Sequence, residues 1–237
     1  KPTIMTDNVS TIPAGYYSAH DRCPVSVDCI IFSLHDGELS VLLAPRRFEP
    51  KLGVPSLMGG FVKATESLDS AAIRVLSELT GLDDTYMEQV GAFGALDRDP
   101  GDRVISVAYY ALIKSDEAID RRVGEYGAEW VNVRALPALE FDHPLMIERA
   151  LSALRRKLTR EPVVFNLLPE LFTLAQVQAL CEKILGEPID KRNFRRRLLE
   201  NNCVEATDKI DKLSSRRGAT MYRFNKKSYN DTLKFKI

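Results

Sequence analysis

Charge is divided along this chain rather than spread over it: residues 1–144 hold 13 Lys and Arg against 22 Asp and Glu, whereas residues 145–237 hold 20 against 11. The formal net charge of zero is therefore the sum of a front segment at −9 and a rear segment at +9. Such a split predicts two bodies with different partners, of which only the rear one attracts a polyanion. At 237 residues the chain is long enough for two ordinary domains. The expected boundary follows the last helix of the front body, giving domains 1–158 and 159–237.

In the front body, Val25 to Phe32 and Leu39 to Ala44 are apolar runs on either side of His35-Asp36-Gly37-Glu38, a tight-turn signal, and read as a hairpin. Arg46 to Pro55 reads as a loop. Thr65 to Leu79 repeats its apolar residues at helical spacing, with Gly81 as its C-cap. Met87 to Leu96, Val104 to Ile113 and Ala128 to Val133 read as strands, and Pro144 to Thr159 as an amphipathic helix with proline in its first turn. The expected class is α/β, a mixed sheet with helices on its sides.

The rear body reads differently. Val163 to Leu168 is a short helical segment, Thr173 caps a helix over Leu174 to Leu185, and Asp190 caps another running to about Asn201. Cys203 to Thr207 and Thr220 to Phe224 are short strands around a basic loop. Helix, turn, helix and small hairpin outline a winged helix. Cys23, Cys29, Cys181 and Cys203 have neither metal-ligand spacing nor a dense disulfide pattern, so no metal is expected. With no apolar window of ~20 residues and no leader-like pattern in Lys1 to Ser18, a cytoplasmic protein without membrane contact is expected.

From Gly60 the sequence GFVKATESLDSAAIRVLSELTGL resembles the Nudix box. The resemblance rests on Gly60, Glu66, Arg74, Glu78, Gly81 and Leu82 at the family's spacing, and it implies an α/β/α sandwich with a nucleotide cleft. Active members carry glutamates at the places of Val75, Glu78 and Leu79, where they hold a divalent ion that activates water. Two of those three carboxylates are apolar side chains here, and magnesium needs hard oxygen ligands. No catalytic residue and no metal site are therefore assigned. Gly60, Glu66, Arg74, Glu78 and Gly81 are expected to be structural, with Glu66 and Arg74 paired at the corner leading into the helix. Arg46, Arg47 and Lys51 follow the second strand, where family members resembling ADP-ribose pyrophosphatases place groups facing the diphosphate, and the resemblance makes them the first ligand candidates, since an arginine fork matches phosphate oxygens. Phe61, Arg98, Arg103 and Tyr109 are further ligand candidates; for each, a solvated or packed side chain is the plainer alternative.

In DKRNFRRRLLEN, residues 190–201, Phe194 and Leu198 fall on one face, with Arg192 and Arg196 roughly opposite and Asn193 and Arg195 on the flanks. This suits a helix in a major groove, where Arg pairs with guanine and Asn with adenine. Lys209, Arg216 and Arg217 are expected at the wing tip, and Thr173 and Gln176 at a phosphate on the preceding helix N-terminus. A basic surface helix without a DNA partner is the alternative.

The joint pattern, with FTLAQVQALCEKILGEPIDKRNFRRRLLE and a terminal GATMYRF, resembles the Nudix-related transcriptional regulators of NAD metabolism, NrtR, from about Arg22 to Phe224. The resemblance implies a homodimeric repressor of bacterial NAD synthesis or salvage genes, bound to a palindromic operator and released by ADP-ribose or a related nucleotide as effector, with no cofactor. Two other readings stay open: an active Mg-dependent Nudix hydrolase of ADP-ribose or another nucleoside diphosphate derivative, and a protein-interaction module.

Overall fold

The computed structural model describes residues 19–82, 85–200, 202–212 and 217–225. The front part consists of β1 (Val25–His35), β2 (Glu38–Pro45), β3 (Pro55–Ser56), β4 (Met58–Phe61), α1 (Leu68–Thr80), β5 (Tyr86–Phe93), β6 (Ile105–Leu112), α2 (Glu117–Glu125), β7 (Glu129–Asn132) and α3 (His143–Leu158). Its sheet runs β3-β2-β1-β6-β5, with β4 paired to β1 and β7 to β2. Among the described residues, only β1 and β6 pair in parallel.

Alternation along the central strands sorts the interior into two cores. Ile30 and Phe32 on β1, with Ala108, Tyr110 and Leu112 on β6, face α3. Val27, Cys29 and Ile31, with Val107, Tyr109 and Ala111, face α1. Helix α1 starts where the Ser67 hydroxyl accepts the Ser70 amide at 3.1 Å. It stops at Gly81, whose φ of 75° places it in the left-handed region that glycine tolerates. Helix α2 has no counterpart in the sequence reading. Asp116 caps it, accepting the amides of Ala118 and Ile119 at 3.0 and 2.9 Å.

The rear part comprises a 3-10 turn (Val163–Asn166), α4 (Leu174–Leu185), α5 (Lys191–Glu200), β8 (Val204–Asp211) and β9 (Ala219–Phe224). This is the winged helix its sequence predicts. Phe172 bridges to Tyr222 of β9 in a single antiparallel pair, through two backbone hydrogen bonds of 2.9 and 2.7 Å. The Phe165 ring stacks on Phe224 with centroids 4.5 Å apart.

The core facing α3 does not end with the front sheet. It continues through Ala150, Leu154 and Leu158 of α3 to Val177, Leu180 and Ile184 of α4 and Phe194 and Leu198 of α5. Helix α3 is a layer common to both parts, and Arg155 Nε donates to the Ile184 carbonyl at the end of α4 at 2.7 Å. A second tie joins Lys183 of α4 to Glu38 of β2. Among the described residues no helix is long and apolar enough to cross a membrane.

Candidate nucleotide cleft and nucleic-acid interface

The β2–β3 loop, β4, α1, the β5–β6 loop and the start of α3 enclose a cleft. Arg46 and Arg47 sit on it in fixed poses. Arg46 Nε donates to the Pro50 carbonyl at 2.6 Å, and its guanidinium lies between the rings of Phe48 and Phe141, 4.4 and 4.8 Å from their centroids. Arg47 donates to the Tyr126 carbonyl at 3.2 Å and covers the Tyr126 ring at 4.8 Å. Each guanidinium has five N–H donors, and these contacts leave most of them for an anion. Phe48 and Phe61, both more than half exposed, flank the mouth.

The floor is polar and buried. Arg98 holds the Asp142 carboxylate by two hydrogen bonds of 2.9 and 2.8 Å and lies 3.6 Å from Asp28. Asp28 Oδ2 accepts the Ser106 hydroxyl at 2.5 Å. His143 Nδ1 accepts the Leu57 amide at 3.4 Å, and burial holds this imidazole below the ordinary histidine pKa. Phe141, just before α3, has φ of 56°, unusual for a bulky residue, and this conformation accompanies its ring contacts with Arg46 and His143.

At the box corner Arg74 donates to both oxygens of Glu66, at 2.7 and 3.0 Å, and to the Phe61 carbonyl at 3.1 Å. Those bonds from Arg74, with the Lys63 amide, hold the Glu66 carboxyl down at about 2. Gly60 lies so close to α1 that a Cβ there would stand 3.1 Å from Val75. Val75 and Leu79 are buried, 4% and 0% exposed, and form an apolar wall. Glu78 is exposed and 3.5 Å from Arg74. One carboxylate already paired with a guanidinium does not make a divalent-ion site, and among the described residues no cluster of three acidic, His or Cys side chains is suited to a metal. The donor set does not fit the magnesium that the box implies.

Four of the seven ligand candidates, Arg46, Arg47, Phe61 and Arg98, line this cleft. Lys51 does not; it pairs with Glu140 at 3.3 Å beside a neighbouring groove. Arg103 folds back towards the carbonyls of Ala95 and Val104, both at 3.5 Å. Tyr109 does not line the cleft either; its hydroxyl donates to Asp69 at 2.7 Å beneath α1. Asp28, Phe48, Phe141 and His143 are cleft residues that the sequence reading passed over.

On the rear part, α5 buries Phe194 and Leu198 and exposes Arg192, Asn193, Arg196 and Arg197. Asp190 Oδ1 accepts the Asn193 amide at 2.8 Å and caps the helix. Glu182 accepts the Ile189 amide and the Gln178 side chain, both at 3.0 Å, which fixes the turn between α4 and α5. Arg195 is half-buried, and its Nε, buried, has no hydrogen-bond partner among the described residues. Thr173 is buried in a capping box, accepting the Gln176 amide while Gln176 Oε1 accepts the Thr173 amide, so the threonine side chain turns inward, away from any phosphate. Gln176 stays exposed. Lys209 belongs to β8 rather than to the loop, because the hairpin continues past a register shift between Ala206 and Ile210. Arg217 is exposed at the turn into β9, and Arg216 lies outside the described residues.

Comparison with known proteins agrees with this division. The family described as NUDIX domain matches residues 24–150, and the one described as NrtR DNA-binding winged helix domain matches residues 164–224. The chain is 36% identical over 210 residues to the ADPR responsive transcriptional repressor NtrR of Acinetobacter baylyi, covering 87% of this chain and 84% of that protein. The crystal structure of Shewanella oneidensis NrtR complexed with a 27mer DNA superposes with a TM-score of 0.76 at 32% identity, covering 85% of this chain and 93% of that one. An ADP-ribose pyrophosphatase of Methanocaldococcus jannaschii is 32% identical over 126 residues, 52% of this chain and 70% of that enzyme.

Proposed function

We propose a function for a chain that belongs to the NrtR family of Nudix-related transcriptional regulators: it is a DNA-binding repressor whose front domain senses ADP-ribose or a related nucleotide without hydrolysing it. The observation that carries the reading is the pairing of two surfaces on one continuous core. A cleft with two preoriented arginines and no metal donor set is lined by the start of α3, and a helix with an outward cationic face is anchored in the core that α3 shares.

In the proposed action, α5 enters a major groove of double-stranded DNA, with Arg192 and Asn193 at base edges and Arg196, Arg217 and Gln176 near the backbone. A homodimer sets two such helices at half-sites about one helical turn, ~34 Å, apart on a palindrome. A nucleotide diphosphate held by Arg46 and Arg47 favours a different spacing, and operator affinity falls about 5- to 150-fold, the range of ordinary coupling between sites. The controlled genes, by family resemblance, are those of NAD synthesis or salvage. Arginine forks recognise the diphosphate without proton or metal chemistry, and Val75 and Leu79 supply no group that activates water.

The test is titration of a labelled duplex selected from a random pool, at several salt concentrations, with and without ADP-ribose. Steep salt dependence and release by ADP-ribose are expected. The Methanocaldococcus relative favours hydrolysis as the second reading. Substantial Mg-dependent turnover of ADP-ribose that disappears in Glu78→Gln, with indifference to duplex DNA, would replace the first reading by that one.

A further inference from the structure

The cleft floor holds one acceptor and one donor that are each left over. Asp28 spends Oδ2 on the Ser106 hydroxyl, and its Oδ1 has no hydrogen-bond partner among the described residues. His143 spends Nδ1 as the acceptor of the Leu57 amide, so a neutral ring carries its proton on Nε2, and that N–H is also unmatched. The two atoms stand 3.9 Å apart, too far to bond each other. Neither is sealed in the interior, for the buried side-chain atoms without partners are Ser33 Oγ and Arg195 Nε alone among the described residues. Asp28 and His143 are themselves only 8% and 3% exposed, and both line the cleft. Gly59 keeps the gap open, since a Cβ there would collide with Asp28 Oδ1.

From this geometry we infer that Asp28 and His143 form a clip for one sugar hydroxyl of the nucleotide ligand. A hydroxyl oxygen about 2.8 Å from each atom donates to Asp28 Oδ1 and accepts from His143 Nε2, satisfying both at once. A phosphate oxygen satisfies only the histidine and meets the carboxylate with like charge, and an ammonium satisfies only the aspartate. The clip therefore selects a hydroxyl. The cleft's layout assigns the hydroxyl to a sugar beyond the diphosphate: exposed Phe48 and Phe61 offer flat apolar contact for a base at the mouth, Arg46 and Arg47 stand beside them, and the polar floor remains for a polyol. His143 is also the first residue of α3, the helix shared with the winged helix, so the hydroxyl is read at the point where the cleft meets that layer. The inference rests on the nucleotide-sensing reading and narrows its effector to a nucleoside diphosphate bearing a second sugar.

Affinities of the full chain for ADP-ribose and for ADP, measured by calorimetry, test it. The unmodified chain prefers ADP-ribose. His143→Asn puts an amide oxygen where Nδ1 accepts from Leu57 but has no donor at the Nε2 position, and the preference falls about tenfold. His143→Gln, which restores a donor near Nε2, retains the preference. On the unmodified chain, among analogues of ADP-ribose that each lack one hydroxyl of the terminal ribose, one binds about tenfold more weakly. The deoxy series decides the matter even if neither variant folds. Equal preference in His143→Asn and the unmodified chain, or undiminished binding of every deoxy analogue, overturns the clip and leaves nucleotide sensing standing. Failure of the unmodified chain to bind either nucleotide overturns both.

Discussion

Arg98 and Asp142 meet through two parallel hydrogen bonds, 2.9 and 2.8 Å long, on a floor where the arginine side chain is 5% exposed. Asp142 stands at the N-cap of α3 yet makes no side-chain capping bond; its carboxylate is turned to the guanidinium instead. Removing one member leaves a buried charge without its main partner. Arg98→Ala is expected to cost about 3 kcal/mol, near the lower end for such a deletion because the carboxylates of Asp28 and Asp142 are not fully buried, 11% and 16% exposed. Urea denaturation of the variant beside the unmodified chain measures the loss, and a change within error of zero would show that the pair is dispensable.

Acid sensitivity follows from Glu66. Its folded pKa of about 2 lies below its ordinary value of 4.5, chiefly through the Arg74 hydrogen bonds, so the folded state binds fewer protons than the unfolded state between those limits. The stabilisation is complete above 4.5 and is lost as pH falls through about 2. Thermal melts of Glu66→Gln between pH 5 and pH 2, values chosen about this window, are expected to show a shallower decline than the unmodified chain. Parallel curves would assign the acid response to other carboxylates.

Metal removal should leave ligand binding as it is. With Val75 and Leu79 packed as an apolar wall, ADP-ribose affinity is expected to be the same in excess EDTA and in millimolar magnesium. A magnesium-dependent gain above about tenfold would show an ion coordinated by groups other than the box glutamates.

The reading helix and the wing should separate in a binding assay. Arg192→Ala or Asn193→Ala is expected to cost about 1–3 kcal/mol on the selected operator and to relax its sequence preference, while Arg217→Ala weakens all duplexes similarly and lowers the salt slope by about one. Identical profiles for the three variants would contradict that division of labour.

Cooperative unfolding is expected from the continuous core. Leu154 of α3 is fully buried between front and rear, and Leu154→Ala should lower stability by about 2–5 kcal/mol while both parts still melt together in calorimetry. Two resolved transitions in the unmodified chain would mean that the shared layer does not couple them.

Much of the fold was legible because its signals are local. Thr173 with Gln176, Asp190 before α5 and Gly81 after α1 each announce a helix end, and Phe194 with Leu198 announces which face of α5 is buried. Helix α2 escaped because it presents only Ile119 and Val123 to the core on an otherwise charged segment, although Asp116 carries the capping signal. Tyr109 lies outside the cleft lining with its hydroxyl taken by Asp69 at the start of α1, a contact that the nearly continuous apolar run of β6 does not announce. The floor was the least legible part. Arg98 was a candidate, but Asp28 and His143 belong to a strand and a helix start that only the folded chain brings beside it, and neither carries a motif of its own.

Helix α3 also sets how this protein can be taken apart and recombined. A chimera that transplants the winged helix from residue 159 onward leaves behind the apolar surface against which Val164, Leu180 and Ile184 rest, and the host must provide a replacement. A seam before Asp142 moves the helix with its reader but strips the donor's cleft of Asp142 and His143. Swapping either specificity by whole modules therefore requires rebuilding the complementary side of the same sixteen-residue rod.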